Sequence, residues 1–336
     1  EIMQYQRLLD EANEEEDPDV RLAKVTAFAV AVYSTMERSK KPFNPILGET
    51  FELKMEDGST YVAEQVSHHP PIGAGHVKTK NFTYDITSAV TTKFAGNWVD
   101  VYPVGRTRIT LHKTGETFNI VPPSSRVNNL IIGRIWIDTF GEMKVLNLTT
   151  GARAELDFKA CGIMSFARYV CSGEIIRPDG TTALTVDGHW NSDLSYTRVG
   201  EDKKVSLWEC DPWPTTPNKY GFTTYAIKMN EMTSAPEYGL MASDSRLRPD
   251  RIALDKGDGS ATALKTQLEE RQRAERRERK DKGDTWSPRW FKKAEHADLH
   301  ELEKDVGTDV WEYNGEYDAN KPEGSATEFS PWQYSK

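Results

Sequence analysis

Cys171-Ser172-Gly173-Glu174-Ile175-Ile176-Arg177-Pro178-Asp179-Gly180-Thr181-Thr182-Ala183-Leu184-Thr185-Val186-Asp187-Gly188-His189-Trp190 reads as two strands joined by a turn. The central Arg177-Pro178-Asp179-Gly180 has the chemistry of a tight hairpin. Proline presets its own φ, aspartate bonds back to nearby backbone, and glycine accepts a positive φ. Strands joined so closely must run antiparallel. The same punctuation recurs upstream, around strand-like runs at 60–66, 81–92, 97–101, 106–112, 117–121, 130–137, 144–148 and 152–158. No helical pattern interrupts them, so an antiparallel meander is expected. So many strands curl or close rather than stay flat, and closing removes exposed edges. A large barrel also leaves an interior that side chains need not fill, which suits a ligand tunnel.

Both ends change character. Tyr5, Leu8 and Leu9 share one face of a short helix. Asp17-Pro18 then offers an N-cap and a first-turn proline. From there Leu22, Val25, Phe28, Val32 and Met36 recur every three to four residues, until Pro42 ends the helix near Ser39. Phe28, Val32 and Met36 are expected to be core rather than tunnel lining. Residues 261–282 form a highly charged helix whose only apolar edge is Leu264 and Leu268. The tail carries Trp286, Trp290, Phe291, Trp311, Tyr313, Tyr317 and Trp332, and is expected to pack rather than to be disordered. The expected organisation is one domain over 1–336, with N-terminal helices at 1–40, the barrel at 41–230 and a C-terminal helical subdomain at 231–336.

The 336 residues carry a net charge of −9, which argues against bulk attraction to nucleic acid or to an anionic membrane. Any anionic ligand must be caught by a local basic cluster. The three cysteines, Cys161, Cys171 and Cys210, form no disulfide framework and fit no zinc spacing, which points to a reducing compartment. No apolar run approaches the roughly 20 residues of a membrane helix. No secretory signal is expected either.

The most informative string is Glu64-Gln65-Val66-Ser67-His68-His69-Pro70-Pro71. It follows a strand, and its two prolines stiffen the chain so that the histidines stand on a fixed turn. Adjacent histidines there can point nitrogen donors at a phosphate; a lone histidine pair would more often mark an ordinary surface turn. The whole string resembles the signature of the oxysterol-binding protein family. Lys41-Pro42-Phe43-Asn44-Pro45-Ile46-Leu47-Gly48-Glu49-Thr50-Phe51 resembles the segment that precedes that signature. Gly133-Arg134-Ile135-Trp136-Ile137-Asp138, the stretch 244–250 and the helix Lys265-Thr266-Gln267-Leu268-Glu269-Glu270-Arg271-Gln272-Arg273 extend the resemblance over nearly the whole chain. The wording is closest to long members that carry further domains upstream.

The resemblance implies a large incomplete antiparallel β-barrel around a lipid tunnel, with helices at the N-terminal side and a C-terminal subdomain. It also implies a ligand, phosphatidylinositol 4-phosphate, held by its head group at the tunnel mouth. Many members exchange it for a sterol and some for phosphatidylserine. Carried over by position, the head-group contacts are Lys41, Asn44, His68, His69, Lys265, Glu269 and Arg273. Lys265, Glu269 and Arg273 are four apart and so share one helical face over roughly 12 Å. A phosphomonoester carries about −1.5 to −2 charges, which two histidines and two or three cations would match. Glu269 would orient the cations or accept from an inositol hydroxyl. Without the resemblance these three residues would be an exposed ion-paired helix face. The chain opens at Glu1-Ile2-Met3 inside what reads as a helix, so the family's N-terminal lid is expected to be missing.

The expected function is therefore intracellular lipid binding and transfer without catalysis, with transient contact with membrane surfaces. No cofactor, metal or nucleic acid is implied, and the expected location is cytoplasmic and peripheral at membranes or membrane contact sites. A phosphoinositide sensor without net transport is the nearest alternative. A phosphoesterase using His68 or His69 is the other, although Ser67 beside His68 makes no triad without an orienting acid.

Overall fold

The start of the longer N-terminal helix is set by the residues that announced it. Asp17 accepts from the backbone N–H groups of Asp19 and Val20, and Pro18 occupies the first turn. In the computed structural model this helix, α2 (Pro18–Ala31), follows α1 (Arg7–Glu14). All residues are described except 37, 39–42, 162–167, 217, 219, 233–238, 320–328 and 333–336. The strands that follow are β1 (Thr50–Lys54), β2 (Thr60–His68), β3 (Pro71–Lys78), β4 (Phe82–Phe94), β5 (Trp98–Leu111), β6 (Thr117–Val121) and β7 (Ser124–Asn128). They continue with β8 (Trp136–Asn147), β9 (Arg153–Phe158), β10 (Val170–Ile176), β11 (Thr182–His189), β12 (Asp193–Arg198) and β13 (Lys204–Glu209). The C-terminal part holds α3 (Thr224–Met229), α4 (Pro249–Asp255), α5 (Ala261–Lys282), β14 (Phe291–Lys293), β15 (Trp311–Tyr313) and α6 (Glu316–Ala319). The chain is thus mainly β and antiparallel, with helices at the N-terminal side, as expected. No described helix is long and apolar enough to cross a membrane.

The backbone forms two compact units. The first comprises Glu1–Lys40, Thr79–Tyr84 and Val90–Ala226. Here β5, β6 and β8 to β13 lie side by side in chain order, and β7 pairs with β5 and β8 off that path. Helix α2 packs across β8 to β13. Leu22, Val25 and Phe28 are all buried, Phe28 edge-on to Tyr84 at 6.0 Å, so Phe28 is core. Each such side chain contributes roughly 1.5–3 kcal/mol by leaving water. The polar residues at the start of α2 are matched by the sheet: Arg21 pairs with Glu116, Asp17 with Arg198, and Asp19 with Arg177 at 2.6 Å. Arg177 opens the hairpin turn, where its carbonyl accepts from Gly180 and its N–H donates to Thr181.

Two strand expectations needed correction in this unit. Residues 97–101 and 106–112 are parts of one strand, β5. It pairs with β7 through 98–101 and with β6 through 107–110, so Pro103 falls between these two pairings. Residues 130–137 were expected as a strand but form a loop up to Trp136. Asn129 and Gly133 turn the chain there with φ of 61° and 106°, and β7, unrecognised in the sequence, pairs with β8 instead.

The second unit comprises Lys41–Lys78, Asp85–Ala89 and Ile227–Lys336. Strands β1, β2 and β3 pair antiparallel in chain order, and β14 pairs with β15. β3 was hidden by its opening Pro71, a position a strand tolerates because the first residue need not donate. The tail aromatics pack, as expected. Trp290, Phe291, Tyr317 and Trp332 are buried, and Tyr313 stacks on His76 at 4.2 Å. Helix α5 has the predicted bounds and ends on Gly283 in the left-handed conformation. Its buried Leu268 clusters with Ile46 and Trp332.

The stretch 244–250 is a buried ionic frame. Arg248, 1% exposed, meets Asp250 at 2.7 and 2.8 Å and Glu49 at 2.8 Å, and donates to the carbonyl of Asn44. Asp244 holds Arg246 at 2.8 Å and accepts from the N–H of Glu52, while the Arg246 guanidinium lies 4.7 Å from the Phe51 ring. Burial of these charges is tolerated only because every one of them is paired.

Candidate functional site

The signature string divides its labour. Glu64, buried, accepts from the backbone N–H groups of Arg289 and Trp290 at 3.0–3.1 Å. Burial pushes its carboxyl above the ordinary range against the pull of these donors and of the Arg289 charge. Its role is to anchor the tail. Gln65 donates to the Ser67 carbonyl at 2.8 Å, and Ser67 donates to the Pro70 carbonyl at 2.7 Å, which closes the turn. The His69–Pro70 bond is cis. His68 and His69 are left to project, edge to face with ring centres 5.0 Å apart.

Both histidines line a cavity of about 410 Å³ within the second unit, in the range typical of small-ligand sites. Helix α5 contributes Gln272, Arg273, Arg276, Arg279 and Lys280 to the lining, which also includes Leu47, Val66 and Trp286. Four cations thus face a single carboxylate, Asp284. Arg279 lies 5.7 Å from the Trp286 ring. Gln272 is turned to accept from the N–H of Leu47 at 2.7 Å, which ties α5 to the segment before β1. Gly48 completes that tie. Its φ is +75°, and a Cβ there would come within 2.8 Å of Trp286 and Phe329.

The lining of this cavity is strongly cationic. The Nδ1 atom of His68 is buried and has no hydrogen-bond partner. Desolvation, then the neighbouring charges of His69 and Arg276, hold its pKa below the ordinary value, with Glu269 acting in the opposite sense. A bound phosphate would supply the missing acceptor and reverse that shift.

Of the residues carried over from the resemblance, His68, His69 and Arg273 meet in this cavity. Lys265 and Glu269 stand outside its lining, joined to each other at 3.0 Å, with Glu269 also 3.7 Å from Arg273. Lys265 lies 5.6 Å from the Phe43 ring. Asn44 is fixed by its carbonyl to Arg248. Lys41 lies outside the described residues. The sequence reading missed Arg276, Arg279 and Lys280. Their signal was present, since 272, 276 and 279 continue the helical face of 265, 269 and 273 by one to two turns.

The family model for "Oxysterol-binding protein" matches residues 1–322. Oxysterol-binding protein-related protein 3C of Arabidopsis thaliana is 43% identical over 99% of this chain and 76% of its own length. The Osh1 ORD domain, solved in complex with ergosterol, superimposes with a TM-score of 0.84 at 30% identity, over 95% of this chain and 79% of that one. The Osh3 ORD of Saccharomyces cerevisiae, solved in complex with PI(4)P, gives 0.82 at 29%, over 98% and 86%. Family match, sequence identity and fold agree along almost the whole length, and the chain belongs to the oxysterol-binding protein family.

Proposed function

We propose that this protein binds and transfers lipids, holding the head group of phosphatidylinositol 4-phosphate in the cavity between the His68-His69 turn and α5 and exchanging that lipid for a sterol. The observation that carries the reading is the buried, unpartnered Nδ1 of His68 beside a wall of Arg273, Arg276, Arg279 and Lys280. A phosphomonoester brings strong acceptors and about −1.5 to −2 charges to that wall. Arginine forks and histidine N–H groups then form charge-assisted bonds. Glu269, paired on both sides, keeps Lys265 and Arg273 aligned along the helix. Complexes of one similar domain with ergosterol and of another with PI(4)P support both halves of the exchange. The protein works in the cytoplasm, peripheral at membranes where two bilayers approach. It acts by binding, not by hydrolysis.

Replacing His68 and His69 together by alanine should weaken phosphatidylinositol 4-phosphate binding at least about tenfold in a liposome competition assay, with an unchanged melting temperature. Unchanged affinity overturns the head-group assignment. Sterol movement from donor to acceptor liposomes, driven by phosphatidylinositol 4-phosphate in the acceptors, separates an exchanger from a sensor. Release of inorganic phosphate would instead point to hydrolysis.

A further inference from the structure

The first unit carries a second feature that the head-group cavity does not use. The loop between β7 and β8 reads Asn129-Leu130-Ile131-Ile132-Gly133-Arg134-Ile135. Ile131 and Ile132 at its tip are 70% and 76% exposed, and Leu130 and Ile135 are exposed as well. Phe94, at the β4–β5 turn, is 65% exposed. Single exposed apolar side chains are ordinary, but a contiguous protruding group is not.

The loop is held in shape. The Asn97 side chain, from the β4–β5 turn, accepts from the N–H groups of Ile131 and Ile132, both at 2.9 Å, and donates to the carbonyl of Ile132 at 3.1 Å. The Asn97 carbonyl accepts from the N–H of Leu130. Asn129, in the left-handed region, donates to the carbonyl of Arg134 at 3.0 Å. Gly133 has φ +106°, and a Cβ there would meet the Asn129 side chain at 3.0 Å. The backbone polar groups at the tip are thus largely satisfied from within, the condition for entering a medium without water.

Charge identifies the medium. In a chain of net charge −9, the two segments 90–98 and 128–136 contain Lys93 and Arg134 and no acidic residue. Both cations are exposed. The nearby carboxylate Asp100 is engaged by Arg126 at 2.5 and 2.9 Å. An apolar tip collared by cations complements a bilayer with anionic head groups: the apolar groups enter the acyl boundary while the cations meet the phosphates. We propose that the Asn129–Ile135 loop, with Phe94, is an insertion device that docks the protein on anionic phospholipid membranes. Its purpose rests on the lipid-transfer reading, since a transfer protein must settle on a bilayer to load and unload.

The test is co-sedimentation of the full chain with phosphatidylcholine vesicles containing phosphatidylserine and no phosphoinositide, so the cavity plays no part. Replacing Ile131 and Ile132 together by aspartate should lower the vesicle partition coefficient about thirtyfold or more. Both side chains are exposed, so the thermal melt and binding of soluble inositol phosphates should be unchanged. Ile131→Leu with Ile132→Leu should retain docking. Replacing Lys93 and Arg134 by alanine should cost about fivefold each on the anionic vesicles and nothing on neutral ones. Wild-type protein that fails to bind these vesicles, or an aspartate variant that binds as well as wild type, overturns the proposal. Loss of a dimer in solution in the aspartate variant, with vesicle binding intact, would assign the loop to a second copy of the chain and also overturn it. Loss of docking in the loop variant, together with unchanged head-group binding in the His68 and His69 variant, would keep the docking surface and discard the head-group reading.

Discussion

Two arginine-bearing regions of the second unit use the same side chain in opposite ways. In the stretch 244–250, Arg248 is buried and its guanidinium is spent on Asp250, Glu49 and the Asn44 carbonyl. On α5, Arg276, Arg279 and Lys280 line a cavity and make no ion pair among the described residues. A charge that the fold already satisfies can only stabilise the frame. A charge that it leaves unmatched beside a cavity is available to a ligand. Both regions resemble their family counterparts in sequence, so resemblance alone does not distinguish frame from site.

The largest effect should come from the frame. Arg248→Ala leaves Glu49 and Asp250 buried without their partner, a situation that costs about 3–5 kcal/mol. Glu49 is already pushed above the ordinary carboxylate range by burial despite the nearby Arg248 charge. Chemical denaturation should show the loss directly, and any loss of ligand binding should follow the unfolded fraction. An Arg248→Ala protein with normal stability would erase the contrast.

The site should behave the other way. Arg276→Ala and Arg273→Ala should each weaken head-group binding about ten- to a hundredfold, from roughly 1.5–3 kcal/mol per desolvated charge-assisted contact, with stability nearly unchanged. Combined with His69→Ala, either should lose less than the sum, because contacts to one phosphate are coupled. Arg273→Lys should rescue only in part, since the planar fork is lost. Isothermal calorimetry of the single and double variants gives all of these numbers. If Arg273→Ala and Glu269→Ala both leave affinity within about twofold, that part of α5 is only a surface ion pair.

A smaller effect concerns pH. The pKa of His68 is held below the ordinary 6.5 in the free protein. The unfolded chain therefore binds more protons than the native one as pH falls through 6.5 toward the lowered value. Stability attributable to His68 is present above 6.5 and declines across that window. A bound phosphate favours the imidazolium, so binding near neutral pH should be accompanied by proton uptake. Calorimetry in buffers of different ionisation enthalpy should detect that uptake, and it should diminish in His68→Ala. The smallest effect is expected for Arg271→Ala. Its partner Glu275 sits 2.7 Å away on the same helix, and neither lines the cavity. Stability should shift by a few tenths of a kcal/mol and affinity by less than about twofold.

Sequence by itself determined the local elements with strong short-range physics. The Asp17-Pro18 start of α2, the 177–180 turn and the bounds of α5 follow from capping, turn chemistry and periodicity, which operate within a few residues. The histidine turn was legible as well, because its string is contiguous. Where tertiary pairing decided, the reading failed. β5 runs through Pro103 and Gly105 and changes partner from β7 to β6 between 101 and 107, and the backbone of the loop 129–135 is gripped by Asn97, more than thirty positions away. The role of each charge was likewise invisible. Arg248 and Arg276 are alike in the sequence, and only the fold places two buried carboxylates around one and an open cavity beside the other. A charge acquires its function from what surrounds it in space, and those surroundings come from segments some two hundred residues apart.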